Sequence, residues 1–509
     1  MSITIGMDIG TSGTKAIAVD NHGTLLASAL FEYPLITPKP GWAEQNPEDW
    51  KSAALHALSS LAYQLGDRRH DVKAIGLTGQ MHGSVFLDDN GQVLRPAILW
   101  CDQRTAKQCD EITEKIGAEK LIEMVCNPAL TGFTAPKILW LRENEPHHYE
   151  KTRAVLLPKD YIRYVLTGEY ATDVADASGT LLFDVKKRQW HRELMQRLGI
   201  DPAWMPRAYE GPEVTGKLSP EIAEKTGIPA HTPVIAGGGD QAAGGVGCGI
   251  VKPGIISCTV GTSGVVFAFS EKITLDPKGR VHTFCHSVPG KWHVMGVMLS
   301  AGGSLRWFRD ALCASEKAVA AETGHDPYEY ITQAAGRIPA GAEGLLFLPY
   351  LTGERTPHKD PFARGAFIGL SLRHTRAHMA RAVLEGVAFG MRDSLEIIRE
   401  MGVPIREVRA SGGGARSVLW RQIQADVNRT PLVTTNIDEG PAYGAALLGM
   451  VGAGLYKSVE EACDNTIHVE DMCTPDTQQS DVYDRWFVEY QRAYMALAEG
   501  FRRAAALTS

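Results

Sequence analysis

Long apolar runs are missing from this 509-residue chain. No segment approaches the roughly 18 consecutive apolar residues of a membrane-spanning helix, so no part is expected to cross a bilayer. The start, MSITIGMDIG, has neither the basic stretch nor the apolar core of an export signal, which points to the cytoplasm. The nine cysteines are odd in number and scattered, with no C-x-x-C pair and no Cys/His zinc spacing. They read as reduced packing thiols. No Lys/Arg block interrupts the net charge of −7, which argues against nucleic acid or an anionic membrane as the main partner. The Gly-Lys pair of a Walker loop and the G-x-G-x-x-G of a dinucleotide site are both absent around the first glycine turn, where Gly10-Thr11-Ser12-Gly13 is followed by Thr14 and Lys15. Low-complexity tracts are lacking too.

What is present is ordinary globular composition, 44% hydrophobic and 22% charged, in a chain too long for one core. Two large domains are therefore expected. One turn sequence occurs twice, as DIGTSG at residues 8–13 and as VGTSG at 260–264. Before the first copy, Ile3, Ile5 and Met7 alternate with smaller residues, and after it comes a second alternating stretch up to Asn21-His22-Gly23. The second copy is likewise flanked by Ile255 to Val260 and by Val265 to Phe269. Each is strand, turn, strand. Such a hairpin offers backbone N–H groups and hydroxyls to a phosphate tail, because glycine permits close approach and successive N–H groups form an anion-binding concavity. A single copy reads as well as a plain Gly/Ser turn; two copies in matching contexts predict a duplicated domain that grips one phosphate chain from opposite sides.

Between the hairpins, Asn46-Pro47-Glu48-Asp49-Trp50 opens a helix with apolar Ala54, Leu58, Leu61 and Leu65 on one face. A strand over 72–77 runs into Thr78-Gly79-Gln80-Met81-His82-Gly83, a site candidate because ligands collect at the carboxyl ends of strands in open α/β sheets. Val234 to Ala236 lead into Gly237-Gly238-Gly239-Asp240 and the small-residue run QAAGGVG. The break between halves is expected at Val251-Lys252-Pro253-Gly254, giving domains 1–252 and 253–509. In the second half a strand over 408–410 leads into SGGGARS and a helix through Trp420, Ile423 and Val427; a short strand over 431–435 then precedes a helix opened by Glu439-Gly440-Pro441-Ala442. Strands alternate with helices in both halves, which predicts an α/β fold with mixed sheets.

Two longer stretches carry a resemblance. GFTAPKILWLREN (132–144) and GAFIGLSLRHTRAHMARAVLE (365–385) resemble the two signatures of the FGGY carbohydrate kinases, and the likeness covers essentially the whole chain. The motifs GQMHG, ILWCDQR, LLPKDY, GGGDQAAG, LPYLTGERTPH and SGGGARS are similar to those of members acting on D-xylulose. Gly79-Gln80-Met81-His82 stands where triol-specific members carry Asn-Gln-Arg-Glu, which removes the charged pair that would hold a triol. Gln241 stands where some members have Asn.

The resemblance implies two actin-like, ribonuclease H-like ATPase domains around a cleft, with the sugar site in the first and most of the adenosine site in the second. It implies transfer of a phosphoryl group from ATP, with Mg²⁺, to the 5-hydroxyl of D-xylulose, in a homodimer. Asp240 is the expected base: it follows a strand and three glycines that let a ligand come near, and in the resembling kinases the matching Asp takes the sugar's proton. The pattern alone also allows an aspartate capping the helix from Gln241. Asp8, which the pattern also allows as a turn cap, is the expected organiser of Mg²⁺ through water, with Asp240 as its second carboxylate. Thr11, Ser12, Gly261, Thr262 and Ser263 are expected on phosphates; Gly413, Gly414 and Ser417 on adenosine. Met81, His82, Asp102 and Gln241 are expected on the sugar, although a lone His is commonly structural and Asp102, Arg104 and Lys159 could as well form salt bridges behind the site. Rival readings are a kinase of another ketopentose, polyol or gluconate, an actin-type ATPase without sugar acceptor, and a silent sugar sensor. The last is opposed by the presence of both Asp8 and Asp240.

Overall fold

The computed structural model describes residues 2–437 and 439–507. The first alternating stretch forms β1 (Ile3–Ile9), with Ile3, Ile5, Met7 and Ile9 fully buried. Antiparallel to it runs β2 (Gly13–Asp20), with Asp8 opposite Lys15, and β3 (Leu25–Glu32) completes a meander. On the other side of β1 lies β4 (Val72–Gly79), parallel, with Ile9 opposite Gly79. β5 (Val214–Lys217), β6 (Pro233–Ile235) and the two-residue β7 (Gly238–Gly239) finish a sheet ordered β5-β6-β4-β1-β2-β3, with β7 also pairing β4.

The second sheet begins at Gly254 with β8 (Gly254–Val260) and β9 (Gly264–Ser270), followed by β10 (His282–Cys285), β11 (Trp292–Met298), β12 (Ile405–Ser411), β13 (Leu432–Thr435) and β14 (Val469–Cys473). Its order is β10-β11-β9-β8-β12-β13-β14. Without β10, the two sheets share one plan: a three-strand antiparallel meander, two parallel strands beside its first member, and an antiparallel edge. The repeated hairpin is therefore the first turn of a repeated sheet, as the sequence predicted.

Helices cover both faces, which is why even the alternating strand β2 is almost wholly buried. In the first half they include α1 (Pro47–Leu65), α2 (Thr134–Asn144), α3 (Pro158–Thr167), α4 (Val174–Ser178) and α5 (Asp240–Gly247). The expected cap of α1 forms, Asn46 accepting from Glu48 N at 3.2 Å, and Trp50, Ala54, Leu58, Leu61 and Leu65 face the sheet. In the second half lie α6 (Gly302–Leu312), α7 (Pro327–Ala335), α8 (Arg376–Glu400), α9 (Val418–Asn428), α10 (Gly440–Gly452) and α11 (Thr477–Ala506).

One helix joins the halves. α10 has no polar face, so it must be buried all round. It packs against β1 and β4 of the first sheet and against α5, although in the chain it lies between β13 and β14 of the second sheet. Among the described residues no helix is long and apolar enough to cross a membrane, and the nine cysteines are unpaired, seven of them buried.

Candidate active site

The carboxyl ends of β1, β4 and β7 lie side by side, because Asp8 pairs Thr78, Ile9 pairs Gly79, and Gly79 pairs Gly239. Asp8 and Asp240 thus sit on strand ends that flank β4, roughly 10 Å apart at the backbone by strand spacing. They feel each other. Burial, and then the charge of Asp240, push the Asp8 carboxyl up to about 7, with Lys15 opposing. Burial pushes Asp240 up to about 6 against hydrogen bonds from the backbone and side chain of Gln241. The helix begins at Asp240 itself and Gly239 holds the cap position, so Asp240 is not the N-cap.

Asp8 Oδ1 is buried and has no hydrogen-bond partner. An orphaned oxygen on one of two carboxyls of raised pKa fits a divalent cation, whose charge would relieve both. Among the described residues no three His, Cys, Asp or Glu side chains converge to bind a metal directly. Two carboxylates and water match the way Mg²⁺ is usually held with substrate phosphates. One consequence is open to calorimetry without any ligand. A carboxyl whose folded pKa lies above its ordinary value of 3.8 favours folding while protonated, and that contribution is lost as pH rises from 3.8 through about 7. Asp8→Asn is therefore expected to raise Tm at pH 8 in the absence of metal and nucleotide, with the gain vanishing near pH 4; an equal Tm at both pH values would count against the buried, unpaired carboxylate.

The first hairpin is held by a ring of amides. Gln45 Nε2 donates to Thr11 O at 2.7 Å, Gln80 Nε2 to Gln45 Oε1 at 2.9 Å, Trp50 Nε1 to Gln45 Oε1 at 3.0 Å and Trp100 Nε1 to Thr11 Oγ1 at 3.0 Å. In the second hairpin Gly261 N bonds Ser263 O at 3.0 Å, while Thr262 O accepts from Ala301 and Gly303 N at 2.9 and 3.0 Å. Arg306 Nη2 donates to Thr262 Oγ1 at 2.6 Å. Among the described residues, the N–H groups of Thr11, Ser12, Thr262 and Ser263 carry no protein hydrogen bond. Each hairpin thus leaves donors free for an anion.

Beside the second hairpin is a cavity of about 620 Å³, lined among others by Gly261, Thr262, Gly302, Arg306, Gly413, Gly414, Ser417 and Trp420. The turn after β12 is brought there because Thr259 pairs Ser411, their hydroxyls 2.8 Å apart. Gly414 lies so close to β8 that a Cβ would stand 2.6 Å from Val260 Cβ. Ser417 lines the cavity while its Oγ caps α9, accepting from Trp420 N at 3.3 Å.

Met81 packs against Gly239, the residue before Asp240, and His82 packs against Gly179. A Cβ on Gly239 would meet Met81 Cγ at 2.7 Å, and one on Gly179 would meet His82 Cε1 at 2.4 Å. His82 has φ +69°, and its carbonyl is gripped by Lys137 Nζ at 2.8 Å and Thr134 Oγ1 at 3.1 Å. That is a strained backbone held by α2, the helix of the first signature stretch. Burial, then the charge of Lys137, lower His82 to about 3, so the ring is neutral. With Gly179 O 2.7 Å from Nδ1, the proton sits on Nδ1 and Nε2 is left as an acceptor for a hydroxyl.

Asp102 takes the salt-bridge alternative that its motif allowed. It is fully buried and both oxygens are engaged: Oδ2 accepts from Ala43 N at 2.6 Å and from Arg104 Nη2 at 2.7 Å, Oδ1 from Arg104 N at 2.9 Å. Arg104 also bonds Glu44 at 2.6 Å and lies 3.7 Å over the Trp42 ring. Asp102 therefore braces a buried ion cluster that engages both of its oxygens. Gln241 spends part of its hydrogen bonding on Asp240. Sequence reasoning missed the bracing residues Gln45, Trp50 and Trp100, the Lys15–Glu439 ion pair from β2 to the start of α10, and Arg306. Only the Gly302-Gly303 pair after a strand signalled the last of these.

Two sheets of one plan, each presenting a hairpin with free donors, and two coupled carboxyls at the first sheet's carboxyl edge define a nucleotide-dependent phosphotransferase of the actin-like, ribonuclease H-like class. Comparison with known proteins resolves the class further. The N-terminal domain of the FGGY family of carbohydrate kinases matches residues 3–247 and its C-terminal domain residues 256–453. A xylulose kinase of Escherichia coli is 42% identical over 97% of this chain and 99% of its own, and one of Bacillus subtilis 41% identical over 97% of both. The crystal structure of xylulose kinase from Rhodospirillum rubrum superposes with a TM-score of 0.91 at 33% identity, covering 98% of this chain and all of the other. The chain belongs to the FGGY family of carbohydrate kinases and is an ATP-dependent sugar kinase.

Proposed function

We propose that the acceptor is D-xylulose and that the protein phosphorylates its 5-hydroxyl, with residues 1–252 carrying the sugar site and 253–509 most of the adenosine site. The observation that carries this reading is the packing of Met81 against Gly239, which sets an apolar wall and the free Nε2 of a neutral His82 beside Asp240. A wall without charge suits a neutral ketose better than an acid or a triol clamped by ions.

In this reading Asp240 accepts the proton of O5 as O5 forms its bond to the γ-phosphorus; the bond from that phosphorus to the β,γ-bridging oxygen breaks, and ADP leaves. Thr11 and Ser12 on one side and Gly261, Thr262 and Ser263 on the other hold the phosphates through N–H groups and hydroxyls, so catalysis is chiefly positioning and charge balance. Gly413, Gly414 and Ser417 border the adenosine. Asp8, through water, and Asp240 would hold Mg²⁺, which supplies charge neutralisation on the phosphates when bound. Closure of the halves over the sugar would exclude water.

The test is ADP release from MgATP with D-xylulose, D-ribulose, L-ribulose, L-xylulose, glycerol and gluconate offered separately. Strong stimulation by D-xylulose is expected. Stimulation by another acceptor alone keeps the kinase and discards the substrate; release at one rate with every acceptor or none discards the sugar acceptor.

A further inference from the structure

Behind the sugar-facing wall lies a buried ionic cluster that none of the proposed chemistry uses. Lys159 Nζ is 2.6 Å from Asp160 Oδ1, 2.6 Å from Asp173 Oδ2 and 3.3 Å from Asp176 Oδ2, all four side chains having no exposure. Arg163, one turn along α3, joins it at 3.3 Å through Asp160. Three acids against two bases leave one negative charge in excess, and burial pushes the Asp176 carboxyl well up, towards its neutral form. A buried ion pair is weak evidence for stability, since desolvation offsets most of its attraction. Its connections suggest another use.

Each partner ties down a segment that ends at the sugar. Arg163 Nη1 donates to Ile235 O and Nη2 to Ala236 O, both at 2.6 Å, on the strand that continues through three glycines into Asp240. Asp173 caps α4 by accepting from Ala175 N at 2.8 Å and Asp176 N at 3.0 Å. That short helix ends at Gly179, whose carbonyl lies 2.7 Å from His82 Nδ1. Lys159 itself backs onto Gly79, where a Cβ would stand 3.3 Å from Lys159 Cβ, directly before Gln80-Met81-His82.

From this geometry, and resting on the proposed function above, we infer that Lys159 and Arg163 are positioning residues: one buried junction sets the strand carrying the base and the carbonyl orienting the sugar-facing histidine in mutual register. Neither touches substrate. Without the junction the sugar hydroxyl and Asp240 lose alignment while the hairpins of the nucleotide site keep theirs.

Lys159→Met is expected to lower kcat for the stimulated reaction about 100-fold, the scale of a misplacement of roughly 1 Å, with KM for ATP and Kd for ADP changed by no more than about twofold. Lys159→Met with Asp160→Asn removes one charge of each sign. It should recover the Tm lost by the single variant and leave kcat low. Recovery of kcat together with Tm would show that Lys159 only balances charge, and would overturn the inference, as would a parallel loss of ADP affinity. If Lys159→Met does not fold, Arg163→Lys decides: it keeps the charge and loses the two-pronged grip, so kcat should drop about tenfold with Kd for ADP unchanged, and full kcat refutes the role. The unsubstituted protein in the same assay separates the two failures. Absence of sugar-stimulated release there sinks the functional reading and the inference with it; its presence with unaltered kcat in the variants sinks the inference alone.

Discussion

Replacing Asp240 by Asn should leave a folded protein that binds ADP normally and turns over about 10³-fold more slowly, within the range of about 10² to 10⁴ that a positioned general base supplies. The difference corresponds to about 4 kcal/mol of barrier. Asn keeps the shape at the start of α5 and can still bond Gln241, but it takes no proton from the hydroxyl. The same residue sets a pH limb. A base works deprotonated, and burial has moved Asp240 up to about 6, so kcat/KM should rise with pH through that region in the parent protein. In the variant the residual rate should lose this dependence. Turnover within tenfold of the parent, or an unchanged acid limb, would remove Asp240 from the role of base and leave the carboxylate to the metal.

The strand-end aspartates and the twin hairpins were legible in the sequence because their signals are local. Alternation in β1 and β8, glycines at the turns and a polar residue at a strand's carboxyl end are all readable within about ten residues. Asp102 was not legible in the same way. Its motif allows a site and a salt bridge alike, and the choice is decided by Ala43 N and by Arg104 reaching across to Glu44, contacts that only the folded chain creates. Met81 and His82 fall between these cases: the strand end placed them, but their orientation comes from Lys137 gripping the His82 carbonyl and from the space left by Gly179 and Gly239. The first signature stretch thus has a structural meaning beyond a helix, since α2 carries the lysine that holds the strained residue.

The small-residue run QAAGGVG and a helix opened by Glu439-Gly440-Pro441-Ala442 were visible in the sequence, while the reason for their small residues was hidden. They meet. Gly444 approaches α5 so closely that a Cβ would stand 1.8 Å from Ala243 O, a backbone atom that cannot swing aside. On its opposite face α10 lies on the first sheet, where a Cβ on Gly6 would stand 1.9 Å from Ala442 O. α10 is therefore wedged between α5 and the sheet that carries Asp8. Gly444→Ala can be accommodated only by moving one of them, and overpacking of this kind costs about 3 kcal/mol or more. Tm should fall by roughly 6–12 °C, as about 2–4 °C per kcal/mol applies to domains of this size. Because Asp240 is the first residue of α5, displacement of that helix should also lower turnover even where the protein remains folded. Gly449→Ala on the same helix supplies the control. There the nearest atom to a new Cβ is Gly76 N at 3.6 Å, an ordinary contact, so replacing a helical glycine should raise stability by about 0.5–1 kcal/mol. Opposite signs at two glycines five residues apart would locate the close approach at the crossing of α5 and α10. Equal, small effects at both would mean that the crossing is loose and that the joint between the halves lies elsewhere.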